Sequence, residues 1–416
     1  MKNKVSSDHS ASHSVFDESA SIASSGHTQR NRRARRWLLI CLLVLVVGLS
    51  IRLSSQYQTS RRVRTFQRQC DILLADENWP ELENQARQWA AWQPLANEPW
   101  HFAAQAAIHM EQWEQAVLYL ESMSSEASLA DLKELARLQM EALNLPLQSV
   151  ATLQRTRKSY PKDTESHLRL LFWYSMTCQR QALEAEVRQA IADGADELPT
   201  YAHYFAKQWL TYNNGFQMNH FWAEAEPESP LFEVAGSVHM KANRSPDAQV
   251  LADRLPVDEY IAQVRELRKK YPANSELLAA LLDYQCEAGD LDAVTRLLIE
   301  AASETATDNR FWRYKGWVHM ARQEWSQAEQ AYNRSLELWP SDWLSRQELA
   351  TVLRRQNKAE MAMAMQELAD LGKDIEQAIR LAPSVMSISR STYEDLQRYL
   401  LDSDDHEVAQ ALRAKL

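Results

Sequence analysis

The chain has 416 residues, 45% of them hydrophobic, and a formal net charge of -10. Only 8 are Gly, well under the roughly 7% of an average protein, and long tracts rich in Ala, Leu, Gln, Glu and Arg argue for helix nearly throughout. Residues 1–70 hold 12 Lys/Arg against 3 Asp/Glu, so the remainder carries -19; an acidic body excludes a nucleic-acid binder, and the basic end brackets an apolar run, which points to a membrane.

Residues 1–36 open on a Ser-, His- and Asp-rich tail without apolar periodicity, expected to be disordered, and close on Arg30, Arg32, Arg33, Arg35 and Arg36. An uncharged run follows from Trp37 through Ile51. Counted to Tyr57 it gives roughly 31 Å of helix with an aromatic residue at each interface, so residues 37–57 are expected to be a transmembrane signal anchor. A cleaved signal peptide is the alternative, since Gly48 and Ser50 are small enough to precede a cleavage point, although the region ahead of the run is long for one. The N-terminal arginines lie nearer the run than Arg61, Arg62, Arg64 and Arg68 do on its other side. The positive-inside rule then keeps the tail in the cytoplasm and exports the body, with a bacterial inner membrane as the expected setting.

From Val63 a 34-residue period sets in. Phe66, Cys70, Trp79 and Leu82 recur one period later as Trp100, Ala104, Trp113 and Ala116, and Pro94 ends the first unit. A looser pair of helices is expected up to Tyr160 and Pro161, and a fourth pair over 164–193 stopped by Gly194. Residues 197–228 depart from the pattern: Tyr201, Tyr204, Phe205, Trp209 and Tyr212 follow helical spacing, and Gly215 is suited to a left-handed cap. The period returns at Ser229 with Phe232, Gly236 and His239, is irregular over 244–272, and resumes over 275–308 with Gly289 and Asp290 at the turn.

Residues 309–342 form the most complete unit, with Trp312, Gly316, His319, Ala328, Tyr332 and Pro340. Small residues belong where two helices of a hairpin approach, aromatic residues fill the gap beside them, and proline ends the second helix. Residues 343–376 repeat it with Leu349, Ala350, Leu353 and Ala362, and residues 377–416 read as two short capping helices with a polar outer face. This spacing resembles the tetratricopeptide repeat over residues 58–376. The resemblance implies an all-α, right-handed solenoid of helix hairpins whose concave face, lined by the first helix of each pair, holds a peptide segment or a partner's helix.

Carried onto this sequence, the concave positions are Arg310, Arg313, Trp317, Met320 and Ala321, then Leu344, Gln347, Thr351, Arg354 and Arg355. Arg310, Arg313, Trp317, Gln347, Arg354 and Arg355 make a basic, partly aromatic groove for an acidic segment or a C-terminal carboxylate. A secondary aromatic surface of Tyr201, Tyr204, Trp209, Tyr212 and Trp222 is the alternative site, for a glycan or a nascent chain in polysaccharide or protein export or synthesis. No catalytic motif, cofactor motif or C-x-x-C pair occurs, so neither catalysis nor a cofactor is expected. Cys70, Cys178 and Cys286 are expected as buried free thiols, and His109-Met110, His239-Met240 and His319-Met320 as packing residues rather than a metal site. The expected function is a single-pass, membrane-anchored scaffold for protein partners in a cell-envelope complex.

Overall fold

A computed structural model describes residues 26–124, 127–206, 215–242, 256–301 and 306–416, and all regular structure among them is helical. The chain divides into two compact units, Met1–Trp89 and Ala90–Leu416.

In the first unit, α1 (Gly26–Ala75) is one continuous helix of 50 residues, about 75 Å long. The sequence suggested a span over 37–57 followed by a separate repeat helix. No Gly or Pro interrupts the chain between Gly48 and Pro80, so the helix runs on without a hinge. Cys41–Ala75 is, among the described residues, the one helical stretch long and apolar enough to cross a membrane. Its Leu42, Leu43, Val44 and Leu45 are each 60% exposed or more. Farther along, Phe66 stacks on Trp89 of α2 (Trp79–Trp92) at 6.0 Å, and Cys70, Leu82 and Ala86 are fully buried.

In the second unit the helices alternate as first and second members of hairpins. The first members are α3 (Asn97–His109), α5 (Leu129–Arg137), α7 (Thr164–Met176), α9 (Leu198–Ala206), α11 (Pro230–Ala242), α13 (Ser275–Ala288), α15 (Asn309–Ala321) and α17 (Trp343–Arg355). The second members are α4 (Trp113–Glu121), α6 (Pro146–Ser159), α8 (Arg180–Asp193), α10 (Gly215–Ala225), α12 (Val257–Lys270), α14 (Leu291–Ile299), α16 (Trp325–Leu338) and α18 (Ala359–Leu381). The pair α19 (Arg390–Asp402) and α20 (His406–Arg413) ends the chain.

Two local devices keep the period. Inside the hairpins a residue with positive φ turns the chain: Glu77, Glu111, Asn144 and Cys178, then Gly289, Gln323 and Asn357. The next N–H bonds five residues back, as in Gln112 to Ala107, Gln179 to Tyr174, Asp290 to Gln285, Glu324 to His319 and Lys358 to Leu353, at 2.8–3.0 Å. This is the Schellman closure of a helix end. Between hairpins, a residue-Pro-residue-cap turn recurs at Tyr160–Asp163, Glu226–Ser229, Tyr271–Asn274 and Trp339–Asp342, closed by a backbone bond of 3.0–3.2 Å. Proline forces its predecessor out of helical geometry, and the side chains of Asp163, Asn274 and Asp342 cap the helix that follows.

A non-glycine residue in the left-handed region carries a steric penalty that glycine lacks. Gln323→Gly is therefore expected to stabilise the chain by ~0.5–1 kcal/mol, read as a higher melting temperature, with Gly289→Ala moving it the other way.

The structure corrects three expectations. Residues 197–206 do not break the period, because α9 begins 34 residues after α7; residues 207–214 lie outside those described. Gly215 is not a left-handed cap: it lies in α10 without a positive φ, and a Cβ there would sit 2.6 Å from the ring of His239. The last repeat does not stop at 376, since α18 continues to Leu381. The other irregular stretch, 244–272, falls partly on residues 243–255, outside those described; α12 forms its later part.

The C-terminal helices are also more than a polar cap. They fold back on the middle of the chain, and Tyr393, Leu396, Tyr399, Leu400, Val408 and Leu412 share one core with Tyr201, Tyr204 and Phe205 of α9 and Ile375 and Ile379 of α18. Every residue from Pro199 to Ala206 is buried, as in a helix apolar all round.

Candidate partner-binding face

The face expected to bind a partner begins on α15. At three- and four-residue spacing, Arg310, Arg313, Trp317 and Met320 share one stripe of that helix, as Gln347, Thr351 and Arg354 do on α17. Close packing of the hairpin beneath them follows from Gly316, where a Cβ would lie 2.7 Å from the Tyr332 ring, and from Ala328, fully buried beside it. Trp312 is half-buried; its indole Nε1 donates to the Ala306 carbonyl at 2.8 Å, and the Lys315 ammonium lies 4.2 Å from its ring centre.

The N-terminal half of the stripe is not a free basic surface. Arg310 is 5% exposed and makes paired contacts with Glu276 (2.8 and 2.5 Å) and with Asp308 (Nη2 to Oδ2, 2.6 Å). Burial works against its charge, but the two carboxylates outweigh burial and hold the proton more firmly than usual. The same guanidinium overcomes the burial of Asp308 and keeps that carboxyl well below the ordinary range. Arg313 lies between Asp283 at 3.6 Å and Asp342 at 3.7 Å, and its own proton is held more firmly by Asp342 and then Asp283, against burial. Tyr314 donates to Asp283 at 2.5 Å and Asn309 donates to Asp342 at 2.8 Å, so α13, α15 and α17 are laced together by buried polar contacts.

Arg310 is thus a correction to the expected groove: its donors are used inside the fold. Arg313 is nearly as enclosed. The partners that neutralise them were missed, although Asn274, Asp308 and Asp342 stand 34 residues apart as helix caps and were visible as such.

The C-terminal half is open. Arg354 and Arg355 are exposed; among the described residues Arg354 reaches Thr351 at 3.1 Å and Gln366 at 3.3 Å, both neutral. Trp317 and Gln347 are half-buried.

Beside Arg313, Glu348 has one carboxyl oxygen shut from water without a hydrogen-bond partner, and burial, only partly offset by Arg313, pushes its pKa up to about 7. The folded value lies above the unfolded one of ~4.3, so this group's contribution to stability is full below about pH 4 and is lost as pH rises through 7, to a limit of ~3 kcal/mol. Glu348→Gln is expected to match the parent near pH 5 and to melt at a higher temperature near pH 8. A parent with no loss of stability over that interval would contradict this.

The alternative aromatic surface is corrected more fully. Tyr201, Tyr204 and Trp222 are 0%, 0% and 1% exposed. Tyr201 donates to Asp196 at 2.5 Å, Tyr204 donates to Asp405 and packs at a tilt 4.6 Å from Trp339, and Trp222 packs on Trp173 at 4.9 Å. They are core. Trp209 and Tyr212 lie outside the described residues.

The His-Met pairs stand on different hairpins. His239 is buried with Nε2 2.6 Å from the Met176 carbonyl, while His319 faces Glu324 at 2.6 Å and His109 is exposed. Cys178 is buried 3.6 Å from His239, and burial pushes its thiol far up, as expected for a packed thiol.

No family model and no curated protein matches the sequence. Among solved structures the chain is similar to a tetratricopeptide repeat protein from Parabacteroides merdae, 10% identical over 70% of this chain and 98% of that one, with a TM-score of 0.26. It is similar also to the APC/C hetero-tetramer Cut9-Hcn1 (9% identical, 83% and 88% covered, TM-score 0.29) and to the C-terminal part of a TPR repeat-containing protein from Cytophaga hutchinsonii (13%, 68% and 98%, 0.24). The fold is an all-α stack of tetratricopeptide-like hairpins. Superpositions this loose carry no weight; the periodic helix starts and turns of this chain do.

Proposed function

We propose that the chain is a single-pass membrane-anchored scaffold that holds protein partners together in a cell-envelope complex and performs no catalysis of its own. The observation that carries this reading is the open half of the first-helix stripe. Arg354 and Arg355 are exposed with no carboxylate partner among the described residues, next to the half-buried Gln347 and, on the preceding repeat, Trp317. Elsewhere along the same stripe the arginines are internally neutralised, so this end is where bidentate donors remain for an acidic segment or a terminal carboxylate.

The exposed apolar side chains of α1 support insertion in a bilayer, and one anchor suffices to raise the local concentration of whatever the stack binds. The flanking arginines favour a cytoplasmic N-terminus, with the stack on the extracytoplasmic side of a bacterial inner membrane. Partner capture from native membranes is the test of this reading, and it is expected to depend on Arg354 and Arg355.

A further inference from the structure

A cleft of about 710 Å³ opens between α6 and the C-terminal half of α8, within the size range of small-molecule sites. Gln154, Arg155 and Lys158 line it from one face of α6, three and four residues apart, and Arg157 flanks them. The acids of the cleft are already engaged. Asp193 accepts from Gln189 at 2.9 Å and faces His167 Nε2 at 3.7 Å, while Glu186, behind the cleft, is shared by His167 at 2.5 Å and Arg157 Nη1 at 3.3 Å.

That leaves Arg155 and Lys158 as surplus positive charge in a body that carries -19 beyond residue 70. Two guanidinium nitrogens, Nη2 of Arg155 and Nε of Arg157, are shut from water with no acceptor. A buried donor without an acceptor costs about 1–3 kcal/mol, which a guanidinium turned toward an oxyanion in the cleft would relieve. Arg346, whose Nε and Nη1 are also without acceptors, differs in that its guanidinium lies 5.8 Å from the Tyr399 ring centre. Among the described residues, no aromatic face or carboxylate plays that part for Arg155.

We propose that this cleft binds the phosphate group of a small anionic molecule, with Arg155 and Lys158 as its main contacts and Arg157 as support. A dianion balances the surplus charge, and its oxygens supply acceptors to forked guanidinium donors. The site is separate from the α15–α17 face and does not depend on the scaffold reading.

The test uses the full chain in detergent, titrated with inorganic phosphate and with chloride at matched ionic strength, followed by melting temperature and calorimetry. Phosphate should stabilise the parent saturably, and the double variant Arg155→Gln/Lys158→Gln should need at least roughly tenfold more phosphate while its phosphate-free melting temperature is no lower than the parent's. Should the double variant melt early on its own, Lys158→Gln alone, at an exposed position, should still weaken phosphate binding severalfold. The proposal is overturned if the variants bind phosphate as the parent does, if phosphate does no more than chloride, or if citrate stabilises the parent at concentrations where phosphate does not.

Discussion

Replacing Arg310 by alanine is expected to destabilise the chain by ~3–5 kcal/mol at neutral pH, because it strands two largely enclosed carboxylates, Glu276 and Asp308, that face one buried guanidinium. The sign of the pH dependence follows from Asp308. Its folded pKa is depressed in the parent, so its stabilising contribution is present above the unfolded pKa and lost only under strong acid. In the variant the same carboxyl loses its main counter-charge and keeps only the more distant Arg180, its pKa rises, and the folded state is penalised as pH increases toward neutrality. The gap between parent and variant should therefore be widest near neutrality and narrow on acidification. Arg310→Lys should recover only part of the loss, since a single ammonium cannot fork onto both acids. Chemical denaturation of the detergent-solubilised chain near pH 5 and pH 7.5 reads all three. A loss independent of pH would mean that Arg310 acts through packing alone.

Tyr204→Ala should cost ~3–5 kcal/mol and loosen the C-terminal pair. Its ring fills the space between Trp339 and α20, and its hydroxyl is a hydrogen-bond donor to Asp405, a carboxyl that burial raises above its usual pKa. Tyr204→Phe keeps the ring and removes the donor, for a smaller loss of ~1–3 kcal/mol. Arg188 to Glu407 at 2.9 Å and Lys415 to Asp196 at 3.3 Å hold the same closure from its rim; the first, an exposed pair, should matter less, while the second joins a half-exposed lysine to a buried carboxylate. Limited proteolysis gives a second readout: α19 and α20 should be cut early in Tyr204→Ala and late in Tyr204→Phe. A Tyr204→Ala chain as stable and as resistant as the parent would show that the terminal helices do not rest on α9.

Much of this architecture is written in local signals. Trp312, Gly316, Ala328, Tyr332 and Pro340 announce a hairpin because each has a local task, and the structure assigns them those tasks. The residues with positive φ are harder to read. Only Gly194 and Gly289 among them are glycines; Glu111, Cys178 and Gln323 occupy equivalent turns without any residue-type signature. The stretch around α9 looked irregular because its aromatic residues crowd one helical face, and spacing alone cannot distinguish an exposed platform from a helix covered by segments 200 residues away. For the same reason the arginines of α15 looked available: the acids that quench Arg310 and Arg313 come from α13 and from the caps Asp308 and Asp342, and tertiary placement is not encoded in a 34-residue period.

The most direct test of the scaffold reading is cross-linking capture from native membranes, run in parallel on the parent chain and on Arg354→Glu/Arg355→Glu. Both positions are exposed, so the variant should keep the parent's helicity and melting temperature. The account predicts a reproducible set of envelope proteins cross-linked to the parent through the α15–α17 face and lost from the charge-reversed chain. Recovery of the same set by both chains, at equal yield and through residues elsewhere, would contradict it.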